Sequence, residues 1–556
     1  MKVLILGGYG VFGGRLAELL SDLPGLDLLI RGRNLERATA FSTAYQGEAT
    51  ARPVQLDRRD IAGALARETP DLVVDASGPF QEYGTDGYLV ITSCIEAGID
   101  YVDFADAADF VFGISRFDAA AQAAGVFILS GVSSFPVLTA AVLRDVAERM
   151  DIVSVAGGIA PSPFAGVGLN VMRAVVGYAG SPIKLMRGGT QQTASGLAES
   201  MRYTVAVPGY LPLRNIHFSL VEVPDLQVIP PEHATLRDIW MGAGPVPESL
   251  HRVLNLLAKA RARFSLPALT PFSRLFYGVL NLMKFGEHRG GMFVHVNGRK
   301  EGRDVEESWH LLAEGNDGPY IPSMAIEAII RKLMNGSRPE NGARPATRAL
   351  ALADYDRLFE GRDIYAGFRR DSDPPVSVYS DVLGSSFAQL PARVQELHTP
   401  QGDSRWAGKA DVSRGNGLLV NLICRVFRFP EAAKGLPVEV DIRPVADGEK
   451  WTRNFGGKMF SSFHSRGNKR DAHLVVERFG PVAVSLGLVV TEGCLSMVAR
   501  RWTCFGIAMP SMLLPGGYGY ETQRGDSFCF DVEISAPLVG KIVAYKGTLR
   551  PQEISL

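Results

Sequence analysis

The sequence predicts an α/β chain in three parts. A doubly wound parallel sheet comes first, a mixed α+β domain second, and a mostly antiparallel, barrel-like β domain last. Three observations predict this. Residues 1–140 alternate short apolar runs with helical stretches, the rhythm of βαβ units. From Asp151 that rhythm is lost, and alternating strand-like runs mix with two helical stretches. After residue 400, strand candidates follow one another across turns. At 556 residues the chain exceeds one ordinary core. The expected domains are 1–140, 141–370 (its last helix returning to the first domain) and 376–556.

The first strand is Lys2 to Leu6, followed at once by Gly7-Gly8-Tyr9-Gly10-Val11-Phe12-Gly13-Gly14 and a helical run from Arg15. Strand, glycine turn and helix fit G-x-G-x-x-G at Gly8, Gly10 and Gly13, the mark of a Rossmann dinucleotide site. Gly8 is expected to allow the tight turn, Gly10 the approach of a pyrophosphate, and Gly13 the packing of helix on strand. Gly8, Tyr9, Gly10, Val11, Phe12 and Gly13 are therefore candidate cofactor residues, with phosphates at the helix N-terminus. The second strand, Leu26 to Ile30, runs into Arg31-Gly32-Arg33-Asn34, with no carboxylate to bind a ribose 2′-hydroxyl. A guanidinium there pairs with a 2′-phosphate, so the reading is NADP (NADPH), with Arg33 as principal contact and Arg31 and Asn34 beside it. Val54 to Asp57 is the third strand, and Asp57 lies near the expected adenine.

Asp71 to Ala76 is the fourth strand, ending in Ser77-Gly78-Pro79-Phe80 and then Tyr83-Gly84. Tyr101-Val102-Asp103 is the fifth and Val126 to Ser130 the sixth, with a loop from Gly131 to Pro136. Ligands in such sheets bind beyond the carboxyl ends of the strands. Ser77, Gly78, Pro79 and Gly131 therefore join the cofactor candidates. Tyr83, Tyr101, Asp103, Ser133 and Ser134 are candidate proton donors.

On these residues the first 140 positions resemble the cofactor domain of saccharopine dehydrogenase-like reductases, which include trans-acting enoyl reductases. The resemblance is carried by Gly8 to Gly13, Gly32-Arg33-Asn34, Ser77 to Phe80 with Tyr83-Gly84, Ala97-Gly98 with Tyr101-Val102-Asp103, and Gly131 with Ser134 and Pro136. It implies an NADP-binding reductase. The chain departs from the family pattern at Asp106-Ala107, where relatives often carry Gly-Glu, and at Ser133 and Leu138, where they often carry acids.

In the middle region, Ile152 to Ala156, His217 to Val223, and the pair Gly291 to Gly298 with Ser308 to Ala313 are strand candidates, the last two a hairpin. Helices are expected over Pro247 to Ala262, Thr270 to Phe285 and Pro322 to Asn335. The second of these places Phe272, Leu275, Phe276, Val279, Leu280, Leu282 and Met283 on one face, read as core or as a homodimer contact in preference to a lid or interfacial helix. His217, His295, His310 and His464 fall in strand-like runs and are read as packed residues; no metal spacing is present. Behind a linker at residues 369–375, a helix is expected over Ser377 to Thr399, then eight strands between Val438 and Leu549. Trp451, Arg453, Phe455, Trp502, Tyr518, Tyr520 and Tyr545 are candidates to line a cavity there, with a plain packed core as the other reading. This part is similar to a domain of unknown function found fused behind such reductases.

The charge balance, 58 Lys and Arg against 59 Asp and Glu, argues against a nucleic-acid partner. No apolar run is long enough to span a membrane. The immediate opening strand and five scattered cysteines suit a cytoplasmic protein. The expected function is an NADP-dependent oxidoreductase, moving a hydride to or from a C=N, C=C or C=O group of a small, apolar-leaning substrate. The other reading is a catalytically silent NADP-binding sensor or a carrier of hydrophobic ligands, which the missing family acids favour.

Overall fold

The computed structural model describes residues 1–552 apart from 33, 57–59, 84–86, 167, 246, 283, 285 and 371–376. Its chain divides into two compact units, 1–201 with 217–366, and 202–216 with 367–556.

In the first unit, β1 (Lys2–Leu6), β2 (Asp27–Gly32), β3 (Thr50–Gln55), β4 (Leu72–Asp75), β5 (Asp100–Asp103) and β6 (Phe127–Ser130) form one parallel sheet in the order β3-β2-β1-β4-β5-β6. Helices cover both faces, so the strands are continuously apolar: Val3, Leu4, Ile5 and Leu6 are fully buried. The strand order reverses between β1 and β4, which places a crevice at their carboxyl ends. A seventh strand, Gly342–Pro345, pairs parallel with β6 from more than 200 residues further along the chain.

The second sheet is mixed and also seven-stranded. Asp151–Ala160 pairs parallel with Asp238–Ala243 and antiparallel with Arg289–Lys300, which forms the expected hairpin with Arg303–Glu314. Helix Ile321–Met334 packs on helix Val11–Leu19. The Arg331 guanidinium donates to the Leu19 carbonyl at 3.0 Å, and the Ser323 hydroxyl donates to the Phe12 carbonyl at 3.2 Å.

Helix Ser273–Leu282 bears on one of the two readings of its apolar face, that of core. Phe276 packs on the Leu254 and Ala258 cluster, but Leu275 and Leu282 are 63% and 85% exposed, so that face is not core within this chain. Met283 lies outside the described residues. No helix among the described residues is long and apolar enough to cross a membrane.

In the second unit, ten antiparallel strands close into a barrel. Each pairs with its sequence neighbour, and the ring closes where the first, Ser404–Arg414, pairs with the last, Gly540–Gln552. The eight expected strands are all present; Ser404–Arg414 and Gly516–Arg524 complete the ring. Closure removes exposed sheet edges. The helix expected over Ser377 to Thr399 is instead two, Val378–Leu383 and Ala392–His398. Gly384 (φ 57°) and Pro391 break it, the second by lacking an amide hydrogen to continue the ladder.

Candidate functional site

The glycine turn joins β1 to helix Val11–Leu19 at the switch point. Its left-handed residue is Gly7 (φ 82°), one position before the Gly8 expected there. The Gly7 and Gly8 amides both donate to the Arg31 carbonyl at 2.9 Å, fixing the turn on β2. Gly13 carries the strictest requirement. A Cβ there would lie 2.5 Å from the Gly7 carbonyl oxygen and 2.8 Å from the Gly8 Cα, both backbone atoms that cannot yield. The helix begins at Gly10 with no capping side chain. Its first amides are thus left to an external acceptor, and the helix dipole favours an anion. This geometry fits a dinucleotide's phosphates.

At the end of β2 the candidates separate. Arg31 is buried, and its Nε donates to the Leu56 carbonyl at 2.7 Å, so its guanidinium ties β2 to the end of β3. Asn34 caps helix Leu35–Ala44, its Oδ1 accepting from the Arg37 amide at 3.0 Å. Tyr9 lies flat over Gly32, where any Cβ would overlap its ring, and its hydroxyl accepts from the Asn34 amide at 3.1 Å. Arg33, the predicted phosphate contact, and Asp57 lie outside the described residues, as does Gly84. Sequence reasoning missed Arg37. Exposed on the first turn of its helix, it holds its guanidinium 5.3 Å from the Tyr9 ring centroid. Its position three residues after the capping Asn34 was the available signal.

At the ends of β4 to β6, hydrogen bonds knit the loops together. Asp75 accepts from the Ser77 amide at 3.0 Å and from the Ser77 hydroxyl at 2.5 Å, and Ser77 Oγ lies 3.0 Å from the Tyr83 hydroxyl. Gly78-Pro79 leads into Phe80, which packs against Tyr83 with ring centroids 5.0 Å apart. Tyr101 and Asp103 are both buried in β5. Asp103 Oδ1 accepts from the Gly131 amide at 2.7 Å, the Ala105 amide at 2.9 Å and the Ser130 hydroxyl at 3.0 Å. Burial raises the Asp103 carboxyl to about 7 despite these bonds, and the charge of Asp75 adds to the rise. Its Oδ2 has no hydrogen-bond partner among the described residues. Ser133 is half-buried and extended, its amide donating to the Gly131 carbonyl at 2.9 Å.

Ser134 instead lines a cavity of about 230 Å³. Its walls include Val11 and Phe12 from the glycine-turn helix, Ile159 and Met292 from the second sheet, and Pro322 from the returning helix. Phe12 stacks on Phe104, which follows Asp103. Two further carboxyls, Asp106 and Glu222, are both pushed up by burial, and Asp106 and Asp109 raise Glu222 further. Asp106, three residues beyond Asp103, was legible as a departure from the family pattern; nothing in the sequence marks Glu222.

Residues 3–129 match the family model described as the saccharopine dehydrogenase NADP binding domain. The N-terminal domain is saccharopine dehydrogenase-like. Residues 390–549 match a domain of unknown function, DUF4166. None of the curated proteins compared matches the chain. Similar solved structures include an amine dehydrogenase from Mycobacterium smegmatis, 12% identical, covering 64% of this chain and 95% of its own, with a TM-score of 0.32. A probable dehydrogenase from Thermotoga maritima is 10% identical, covering 64% and 92%, with a TM-score of 0.29. A myo-inositol 2-dehydrogenase from Lactobacillus plantarum is 8% identical over the same shares, also at 0.29. Likenesses this distant add nothing to what the strand order of the saccharopine dehydrogenase-like domain already states.

Proposed function

We propose that this chain is an NADP-dependent oxidoreductase acting on a C=N, C=C or C=O group held in the cavity beside the glycine turn. One observation carries the reading. Val11 and Phe12 open the helix whose free amides suit phosphates, and the same two residues wall the cavity. A cofactor seat and a substrate-sized space therefore share one wall. A nicotinamide held at that seat would supply or take up the hydride. The chain's part is to orient and to exclude water. Asp103 holds the Gly131 and Ala105 loops in register, Phe12 gives the cavity an apolar wall and is backed by Phe104, and Tyr83, 3.0 Å from Ser77 Oγ, gives its hydroxyl proton to the substrate as the hydride arrives and regains it from solvent.

Arg33 and Arg37 are assigned to the 2′-phosphate, Arg37 buttressed by Tyr9. Nicotinamide fluorescence titrations test this. Arg33→Ala or Arg37→Ala is expected to weaken NADPH by roughly tenfold to a hundredfold and leave NADH nearly unchanged, the cost of one charge-assisted hydrogen bond. Failure of both nucleotides to bind the unaltered chain would end the oxidoreductase reading. Tyr83→Phe is expected to keep NADPH binding and to abolish NADPH oxidation by whichever member of an imine and enone panel the parent chain reduces. Unchanged turnover would remove Tyr83 from the proton path.

A further inference from the structure

The barrel encloses a cavity of about 350 Å³, half again the volume beside the glycine turn. Six of the seven residues expected to line such a space do so; Tyr520 does not, and is 45% exposed. Most of the wall is aliphatic or aromatic, including Phe429, Val438, Phe528, Phe530, Val532 and Leu549. One region is polar. His464 lies at its centre, with Nδ1 2.9 Å from the Tyr379 hydroxyl and Nε2 2.9 Å from both Glu477 Oε1 and Ser462 Oγ. Arg453 donates to Ser462 Oγ at 2.7 Å and to Glu477 at 3.4 Å, and its guanidinium lies 5.1 Å from the Trp451 ring centroid. Trp451 stacks on His464 with rings only 7° from parallel. Glu521, paired with His398 at 2.5 Å, also faces the cavity.

A buried polar cluster in an otherwise apolar barrel is costly unless its members satisfy one another, and both ring nitrogens of His464 are so satisfied. Arg453 and His464 both stand against Glu477, and Glu521 adds a second carboxylate to the same wall. Burial raises the Glu477 carboxyl, but the charges and hydrogen bonds of His464 and Arg453 outweigh this and hold it at about 2. The cluster therefore presents hydrogen-bonding groups with no spare positive charge. The approaches are apolar as well. Leu513 and Pro515 line the cavity on the segment that carries exposed Met512, and helix Leu418–Val426 sends Ile423 to the wall while Leu418 and Leu422 face outward.

We propose that the barrel is a second binding site, for an uncharged ligand with an apolar body and one hydroxyl or carbonyl head that hydrogen-bonds to the Arg453, His464 and Glu477 cluster. The volume admits roughly a dozen methylene-sized groups. Nothing in the proposal depends on the nicotinamide reading.

The test uses the full chain, Nile red as fluorescent probe, and decanol and decanoate as competitors. Nile red uptake is expected, and Ala499→Trp, which fills the cavity from its wall, is expected to remove the barrel's share of it. Decanol should displace the probe at concentrations about tenfold lower than decanoate, whose charge finds no free partner inside. Glu477→Gln leaves Arg453 unbalanced and should reverse that preference. Arg453→Gln leaves Glu477 unbalanced and should abolish displacement by decanoate. Far-ultraviolet circular dichroism checks that each variant folds, and the parent chain with Ala499→Trp decides the outcome should either charge variant fail. Absent uptake, uptake untouched by Ala499→Trp, or decanoate competing as well as decanol would each overturn the proposal.

Discussion

Asp103 shows how one residue can serve a site by holding its loops. Its Oδ1 gathers three donors, from the segment after β5, the last residue of β6 and the loop beyond it, while its Oδ2 has no partner among the described residues. Burial lifts its folded-state value from 3.8 to about 7. The native state therefore keeps a proton that the unfolded chain releases between those values. By linkage, stability falls as pH rises across that window, by about 4 kcal/mol at most from this residue. Asp103→Asn keeps the accepting oxygen and removes the titration. The variant is expected to match the parent near pH 4 and to exceed it in urea stability by a few kcal/mol at pH 8. Equal stability at both pH values would mean that Asp103 ionises without penalty. The sequence placed Asp103 at the strand end correctly as a position. It could not show that the side chain turns inward, because that depends on where Gly131, 28 residues away, brings its amide.

Elements were legible where one local pattern sufficed. The β1 turn and helix, and the hairpin of Arg289–Lys300 with Arg303–Glu314, each announce themselves through glycine placement or alternation. Elements that owe their state to distant partners were not legible. Gly342–Pro345 is four residues with a terminal proline and becomes a strand only because β6 offers it an edge. Ser404–Arg414 mixes Gly408 with charged residues and reads as loop until Gly540–Gln552 pairs with it. That seam sets the requirement at Gly408, where a Cβ would lie 1.9 Å from the Thr548 carbonyl oxygen. Barrel closure depends on this approach, and backbone cannot move aside without breaking the ladder. Gly408→Ala is expected to destabilise the barrel by about 1–3 kcal/mol in urea unfolding and to leave NADPH titration of the first unit unchanged. A neutral effect would show that the first and last strands can part slightly without cost.

At the scale of the whole chain, the boundary near residue 375 suggested by sequence leaves out a segment that belongs with the barrel. Residues 202–216 arise within the middle region yet group with 367–556. The Val490 amide donates to the Gly209 carbonyl at 2.8 Å, and Leu211 rests against Gly487, which has no side chain to obstruct it. Arg369 Nε donates to the Ala206 carbonyl at 2.5 Å and Nη1 to the Val382 carbonyl at 2.8 Å, and burial lowers this guanidinium to about 10. A fragment of residues 367–556 keeps all ten strands and the Val382 acceptor but strips Arg369 of the Ala206 carbonyl and Val490 of the Gly209 carbonyl. Each loss costs ~1–3 kcal/mol where the donor stays buried, and more where it is charged. The fragment should therefore unfold in urea several kcal/mol earlier than the same barrel in the full chain. Trp406, Trp451 and Trp502 report that transition once Trp240 and Trp309 are replaced by Phe. Fusing residues 202–216 ahead of Gly367 should restore much of the difference. A fragment as stable as the barrel in the full chain would mean that the segment merely lies on the barrel and that the boundary near residue 375 is also the folding boundary.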